Sequence, residues 1–372
     1  VVLLALVAGG CAGRHHHHHC RASHDDVPAA FFKSSILVPG RDLVTADPLW
    51  RLMFGGEARD DGTDGSPFHV VRTPEKLLPQ RVALGACTAP PPELPLKILK
   101  PKKGGATPGF IGEDAGGRKF LVKLDHPDYP ELGSTAEVVG SRLLWALGYH
   151  VPPVYLVQIS GTGDPRFDGQ RATATLFIED ARGHFHFDWF RDRREVRGLR
   201  LACAWLNDTD RVGPNTLVTV TDDVVQYYLI DFNSCLGSWQ GRPKEVWRGW
   251  RHQGHVGWWL AGVVTLGLVH PEPDPTQPIV SAAIGRFTAD GFDARRWRPQ
   301  WHNGAFKRMT AKDARWLTAQ LARLDRPQIE AAVAAAELSD PRDAAYLVQT
   351  LLRRRDIILQ TFGDGTDAPP TR

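Results

Sequence analysis

The sequence predicts an α+β protein: a sheet-rich block followed by a mainly helical one. Three observations lead there. Short apolar runs separated by Gly and Asp turns fill residues 96–178. Apolar residues at helical spacing dominate 311–362. Between them, 216–220 and 225–232 read as two strands around a short polar turn. The chain has 372 residues, 42% hydrophobic and 23% charged, which is the balance of an ordinary globular protein. Its 45 basic against 42 acidic residues give no electrostatic footprint for nucleic acid. Five Cys are too few for a disulfide scaffold.

Residues 1–11 (VVLLALVAGGC) are too short to span a bilayer and fit the apolar part of an export signal. Cys11 after two glycines has the look of a lipid-attachment site, which would tie the chain to a membrane; otherwise the protein is cytoplasmic. His15–His19 read as a tag or low-complexity linker. Weak periodicity and the Pro-rich 88–95 make 12–94 a largely irregular linker. Beyond Cys11, four Cys (Cys20, Cys87, Cys203 and Cys235) allow three pairings, which the sequence leaves open.

From 95 to 180 the pattern gives a strand at 96–99, a Gly-rich loop at 102–110, a hairpin of 111–113 with 119–124, a helix at 135–147, and strands at 154–159 and 172–178. Gly148 stops the helix. From 181 to 362 come a helix at 195–206, the 216–232 hairpin, an apolar run at 258–269, and helices at 311–324, 328–338 and 342–362. Cys203 reads as a small buried hydrophobe, and 363–372 is a tail.

Four features could carry chemistry. Lys123 alternates against Phe120, Val122 and Leu124, so it is either solvated or turned into a cleft. Glu137 either closes a capping box with Ser134 or forms an ion pair on an inward-leaning side of its helix. NDTDRVGPN (207–215) is either a polar turn or a catalytic loop with an Asp, four residues, Asn spacing. Asp231 ends an apolar strand. If Val220 lies opposite Val225, Asn215 falls opposite Ile230, and an amide oxygen converges with the Asp231 carboxylate. That donor pair suits Mg²⁺.

In order, these parts are a Gly-rich loop, a strand Lys, a helix Glu, an Asp…Asn loop, a hairpin and a terminal Asp. GGATPGF, KFLVKL, TAEVVGSRLLWALGY, AWLNDTDRVGPN and YYLIDFNSCLGS resemble the HipA-type bacterial toxin kinases and, more distantly, the phosphatidylinositol kinases. The resemblance covers about 96–362. It implies a bilobal protein-kinase-like fold and an ATP- and Mg²⁺-dependent phosphotransferase acting on a hydroxyl of an unknown acceptor, whether protein, lipid or sugar. Carried over, Gly104, Gly105 and Lys123 would contact nucleotide phosphates, and Glu137 would orient Lys123. Ile178 would stand in the hinge beside adenine. Asp210 or Asp208 would be the catalytic base, and Asn215 and Asp231 would hold Mg²⁺. The sequence departs from the common kinase pattern in having no GxGxxG, Asp-Thr-Asp for His-Arg-Asp, Asp-Phe-Asn for Asp-Phe-Gly, and no Ala-Pro-Glu.

Two other readings stay open. Asp208-Thr209-Asp210 also fits the DxD pattern of glycosyltransferases. An exported chain would meet little ATP, which favours a nucleotide-binding module without turnover. The Trp residues at 239, 247, 250, 258 and 259 read as aromatic packing or an acceptor surface. Arg353–Arg355 read as a solvated helix face.

Overall fold

The computed structural model describes residues 66–102, 107–221, 224–253 and 277–363. The expected signal with Cys11, the His run, Cys20, Gly104, Gly105 and the apolar run 258–269 lie outside them. No helix among the described residues is long and apolar enough to cross a membrane.

The stretch 66–94, expected to be irregular, contains a short helix, α1 (Pro79–Leu84), and buries Phe68, Leu77 and Val82. Strands β1 (Lys97–Pro101), β2 (Gly109–Glu113) and β3 (Lys119–Leu124) follow, then α2 (Leu132–Ala146), β4 (Val154–Gln158) and β5 (Arg171–Leu176). The five strands form one antiparallel sheet in the order β1-β2-β3-β5-β4. Alternation sends Phe120 and Val122 of β3 into a cluster with Phe110, Tyr155, Ala172 and Ala174. Helix α2 packs across β3, β4 and β5, so β3 is covered on both faces.

Helix α2 begins one turn earlier than the apolar stripe indicates, because Asp125 caps it from outside. The Asp125 carboxylate accepts from the Glu131 N–H at 3.1 Å, the Ser134 N–H at 2.7 Å and the Ser134 hydroxyl at 2.6 Å. These satisfy donors that a helix start leaves unpaired. Asp125→Ala is expected to cost about 1–2 kcal/mol. A lower urea midpoint with an unchanged slope would show it; an unmoved midpoint would mean the cap is not needed.

The second block opens with β6 (Ala181–Gly183) and α3 (Arg194–Leu206), followed by the hairpin β7 (Thr216–Thr221) and β8 (Val224–Leu229). Strand β6 adds to β7 to make a three-stranded sheet. A two-strand ribbon β9 (Ser238–Trp239) and β10 (Arg242–Pro243) precedes the helices α4 (Gly304–Lys307), α5 (Ala311–Leu321), α6 (Arg326–Ala334) and α7 (Pro341–Phe362). The fold is thus α+β, sheet-rich then helical, as the sequence predicts. α3 is the core helix. Its Arg197 reaches Asp313 of α5 through two hydrogen bonds of 2.8 and 3.0 Å, and Trp205 donates to the Leu351 carbonyl of α7 at 2.9 Å.

The basic run 353–355 is not uniformly solvated. Arg353 is exposed and pairs with Asp290, whereas Arg354 is 4% exposed. Arg354 donates to the Ala204 and Trp205 carbonyls at the end of α3, at 2.6 and 2.9 Å. A helix end presents unpaired carbonyls and negative potential, and a guanidinium answers both. Cys203 is fully buried, and Cys87, Cys203 and Cys235 are free thiols. No pairing among these three forms. Of the Trp residues, Trp239 and Trp247 both lie against the Arg248 guanidinium, with ring centroids 3.5 and 4.5 Å from its central carbon.

Candidate active site

Lys123 is buried, and its partners explain how a charge can be there. Its ammonium lies 3.0 Å from Glu137 Oε2 of α2 and 3.0 Å from Asp231 Oδ1 beyond β8. Burial alone would lower its pKa; the two carboxylates outweigh that and raise it. The solvated alternative for Lys123 is therefore excluded. The capping alternative for Glu137 is excluded as well, since Glu137 Oε2 also accepts the Phe232 N–H at 3.1 Å. Close helix packing makes this reach feasible. A Cβ on Gly140, one turn along α2, would lie 2.9 Å from Cys235 Sγ and 3.1 Å from Phe232 Cβ. Only a glycine lets α2 sit that close to the 231–235 loop.

The hairpin register places Asp231. Val220 pairs with Val225 and Thr216 with Leu229, and the Ile230 N–H donates to the Asn215 carbonyl at 3.1 Å. This is the register expected from the sequence. Asp231 adopts a left-handed backbone (φ 59°), which turns the chain out of the strand. Its side chain keeps 34% exposure against 4% for Lys123 and 1% for Glu137. It is the member of the cluster open to a ligand.

Asn207 ends α3 in the left-handed region (φ 49°), and the loop 207–215 runs from there to β7. The two acidic residues in it are not equivalent. Asp208 is fully buried against Arg211, 2.7 Å from Nε. Arg211 also donates to the Ile230 carbonyl at 2.8 Å and to the Asp231 carbonyl. Asp208 is thus committed to holding Arg211, and Arg211 to holding the Asp231 turn. Asp210 instead receives the Asn215 side-chain amide at 3.2 Å, and the same amide donates to the Asp210 carbonyl at 2.8 Å. Burial, then the neighbouring Asp231 and Asp208 charges, push Asp210 up to about 7. Asp231 itself is held below the usual carboxylate range, because Lys123 outweighs its burial.

Among the site residues named from the sequence, Lys123, Glu137 and Asp231 come together by direct contact. Asn215 and Asp210 contact each other, and Asp210 senses the Asp231 charge. Ile178 is half-buried in the connection from β5 to β6, where its carbonyl accepts the Ala181 N–H at 3.3 Å. Sequence reasoning missed Lys102, Arg211 and Asn233. Lys102, at the end of β1, donates to the Thr107 carbonyl at 3.0 Å and lies within the field of Asp231, Glu137 and Lys123. The Asn233 amide donates to the Thr107 hydroxyl at 2.9 Å, joining the foot of the Gly-rich loop to the Asp231 loop. That contact accounts for Asn in the Asp-Phe-Asn motif. Asn233 was legible as a departure from Asp-Phe-Gly; Lys102 and Arg211 carried no spacing signal.

No family model and no curated protein matches the chain. Among solved structures it is similar to the Helicobacter pylori proinflammatory kinase CtkA, at 12% identity and TM-score 0.42, over 74% of this chain and 100% of that one. It is also similar to a chain in the Shewanella oneidensis MR-1 toxin–antitoxin complex of HipA, HipB and operator DNA. There the identity is 12% and the TM-score 0.36, over 73% of this chain and 66% of that one. Likeness at this level is a likeness of outline, and the functional reading rests on the residues of the cleft.

Proposed function

We propose that the protein is an ATP- and Mg²⁺-dependent phosphotransferase that moves a γ-phosphate to a hydroxyl of an acceptor. The observation that carries this is the buried Lys123 ammonium held 3.0 Å from both Glu137 and Asp231, with Asp210 and Asn215 adjoining. An ammonium has three N–H donors. Two face these carboxylates, and among the described residues the third remains for a phosphate oxygen. Glu137 keeps Lys123 charged and aimed.

The residues fit a magnesium ion. Asn215 turns its amide nitrogen to Asp210, which leaves its carbonyl oxygen as a donor; Asp231 is the half-buried carboxylate, the most open of the cluster; and burial between like charges is what a divalent cation relieves. Asn215 and Asp231 would hold it, with water completing the shell. When bound, Mg²⁺ supplies positive charge against the phosphate oxygens. Asp210, kept in place by Asn215, accepts the acceptor's hydroxyl proton and aligns the hydroxyl for in-line attack.

Asp208 does not share a ligand position with Asp210, because Arg211 occupies it. That disfavours the DxD glycosyltransferase reading. The test is a γ-phosphate transfer assay on wild type, screened over protein, lipid and sugar acceptors with and without Mg²⁺. Transfer that needs Mg²⁺ supports the proposal; binding of Mg-ATP with no transfer or release would make the protein a nucleotide-binding module instead. Asp231→Ala is expected to weaken Mg²⁺-dependent ATP binding at least about tenfold. Equal affinity by calorimetry would remove Asp231 from the metal site.

A further inference from the structure

Lys244 follows β10, far in sequence from the cluster around Lys123, and the mechanism above makes no use of it. It is 1% exposed. Its ammonium donates to three backbone carbonyls: Asn207 at 2.5 Å, Leu236 at 2.7 Å and Ser234 at 2.8 Å. Three acceptors match its three donors, and among the described residues no carboxylate forms an ion pair with it. The acceptors come from two loops. Asn207 stands three residues before Asp210; Ser234 and Leu236 stand three and five residues after Asp231. Both loops are bent to reach it, with left-handed backbone at Asn207 (φ 49°) and Leu236 (φ 52°). The Asn207 side chain joins the same knot, donating to the Leu236 carbonyl at 3.3 Å and accepting from Trp297 Nε1 at 3.0 Å.

Converging carbonyls repel one another unless a donor stands between them, and a buried cation is costly unless such dipoles surround it. Each therefore makes the other tenable. We infer that Lys244 is a positioning residue of the phosphotransfer site, its ammonium stapling the loop that carries Asp210 to the loop that carries Asp231. This inference rests on the phosphotransfer proposal and adds to it the device that fixes the spacing of the two acidic residues.

The staple is sensitive to protonation. Burial pushes Lys244 down to about 7, with Cys235 and Asp208 opposing the drop and Arg248 and Arg354 deepening it. A neutral amine has two donors for three carbonyls, so the staple loosens as pH rises through that value.

The experiment measures turnover of radiolabelled ATP by the full chain for wild type, Lys244→Met and Lys244→Arg, with thermal melts to establish the folded fraction. Lys244→Met is expected to lower kcat about tenfold or more while KM for ATP changes less than about threefold, because Lys123, Glu137 and Asp231 remain. Lys244→Arg keeps the cation at every pH used. It is expected to retain most of the wild-type kcat at neutral pH and to lack the wild-type decline towards about pH 9. A folded Lys244→Met with wild-type kcat would overturn the inference. So would an alkaline limb in Lys244→Arg that coincides with that of wild type, and this profile decides the matter if Lys244→Met does not fold. Failure of wild type itself to bind Mg-ATP would sink the phosphotransfer proposal, and the positioning role with it.

Discussion

Asp210→Ala is expected to lower phosphate transfer about a thousandfold while leaving Mg-ATP affinity within about threefold. The change removes the group proposed to take the acceptor's proton, and it leaves Lys123, Glu137, Asn215 and Asp231 in place. Transfer assays beside calorimetric ATP binding measure the two effects separately; undiminished turnover would remove Asp210 from the chemistry. The pH dependence follows from the same residue. Asp210 would act as a base only when deprotonated, so kcat/KM of Lys244→Arg, in which the opposing loss of the Lys244 staple is absent, should rise with pH through about 7. Stability runs the other way. The folded pKa lies above the unfolded value near 3.8, so between those values the native state binds more protons than the unfolded one. Stability therefore falls as pH rises through that window and is lowest above about 7. Asp210→Asn, which cannot ionise, is expected to melt higher than wild type at about pH 8 and to lose that advantage near pH 4. A constant difference across the range would contradict the raised pKa.

Arg211→Met is expected to destabilise the protein by about 3–5 kcal/mol, the largest stability effect among these substitutions. The partner left behind is Asp208, whose side chain has no exposure at all, so its charge would stand buried without its ion-pair partner. The same change removes the donors to the Ile230 and Asp231 carbonyls. Adding Asp208→Asn to Arg211→Met should recover part of the loss, since the stranded charge is then gone. Urea titrations of the two single variants and the double variant measure this. A single-variant cost below about 1 kcal/mol would show that Asp208 accepts protonation without penalty.

Much of the site was legible because it rests on periodicity and register. The hairpin pairing of Val220 with Val225 follows from a short polar turn expected at Thr221–Asp223 between alternating strands, and it carries Asn215 to the level of Ile230. Lys123 and Glu137 were visible as charges in apolar surroundings. Whether each was buried and paired could not be read locally, because the answer depends on α2 covering the second face of β3. The different surroundings of Asp208 and Asp210 were likewise closed to spacing. They turn on Arg211, whose side chain folds back on its own loop. Arg354 was misread because a basic run on a helix says nothing of the helix end that packs against it. The cap on α2 was hidden for a similar reason, since Asp125 reaches it from the preceding loop rather than from the helix.

The most direct measurement is the position of Mn²⁺, standing in for Mg²⁺, in crystals grown with a non-hydrolysable ATP analogue. The metal's anomalous signal should lie between the Asn215 side-chain oxygen and the Asp231 carboxylate, with the analogue's phosphates against Lys123 and its terminal phosphate facing Asp210. A nucleotide bound elsewhere, or a metal held by neither Asn215 nor Asp231, would contradict the phosphotransfer site.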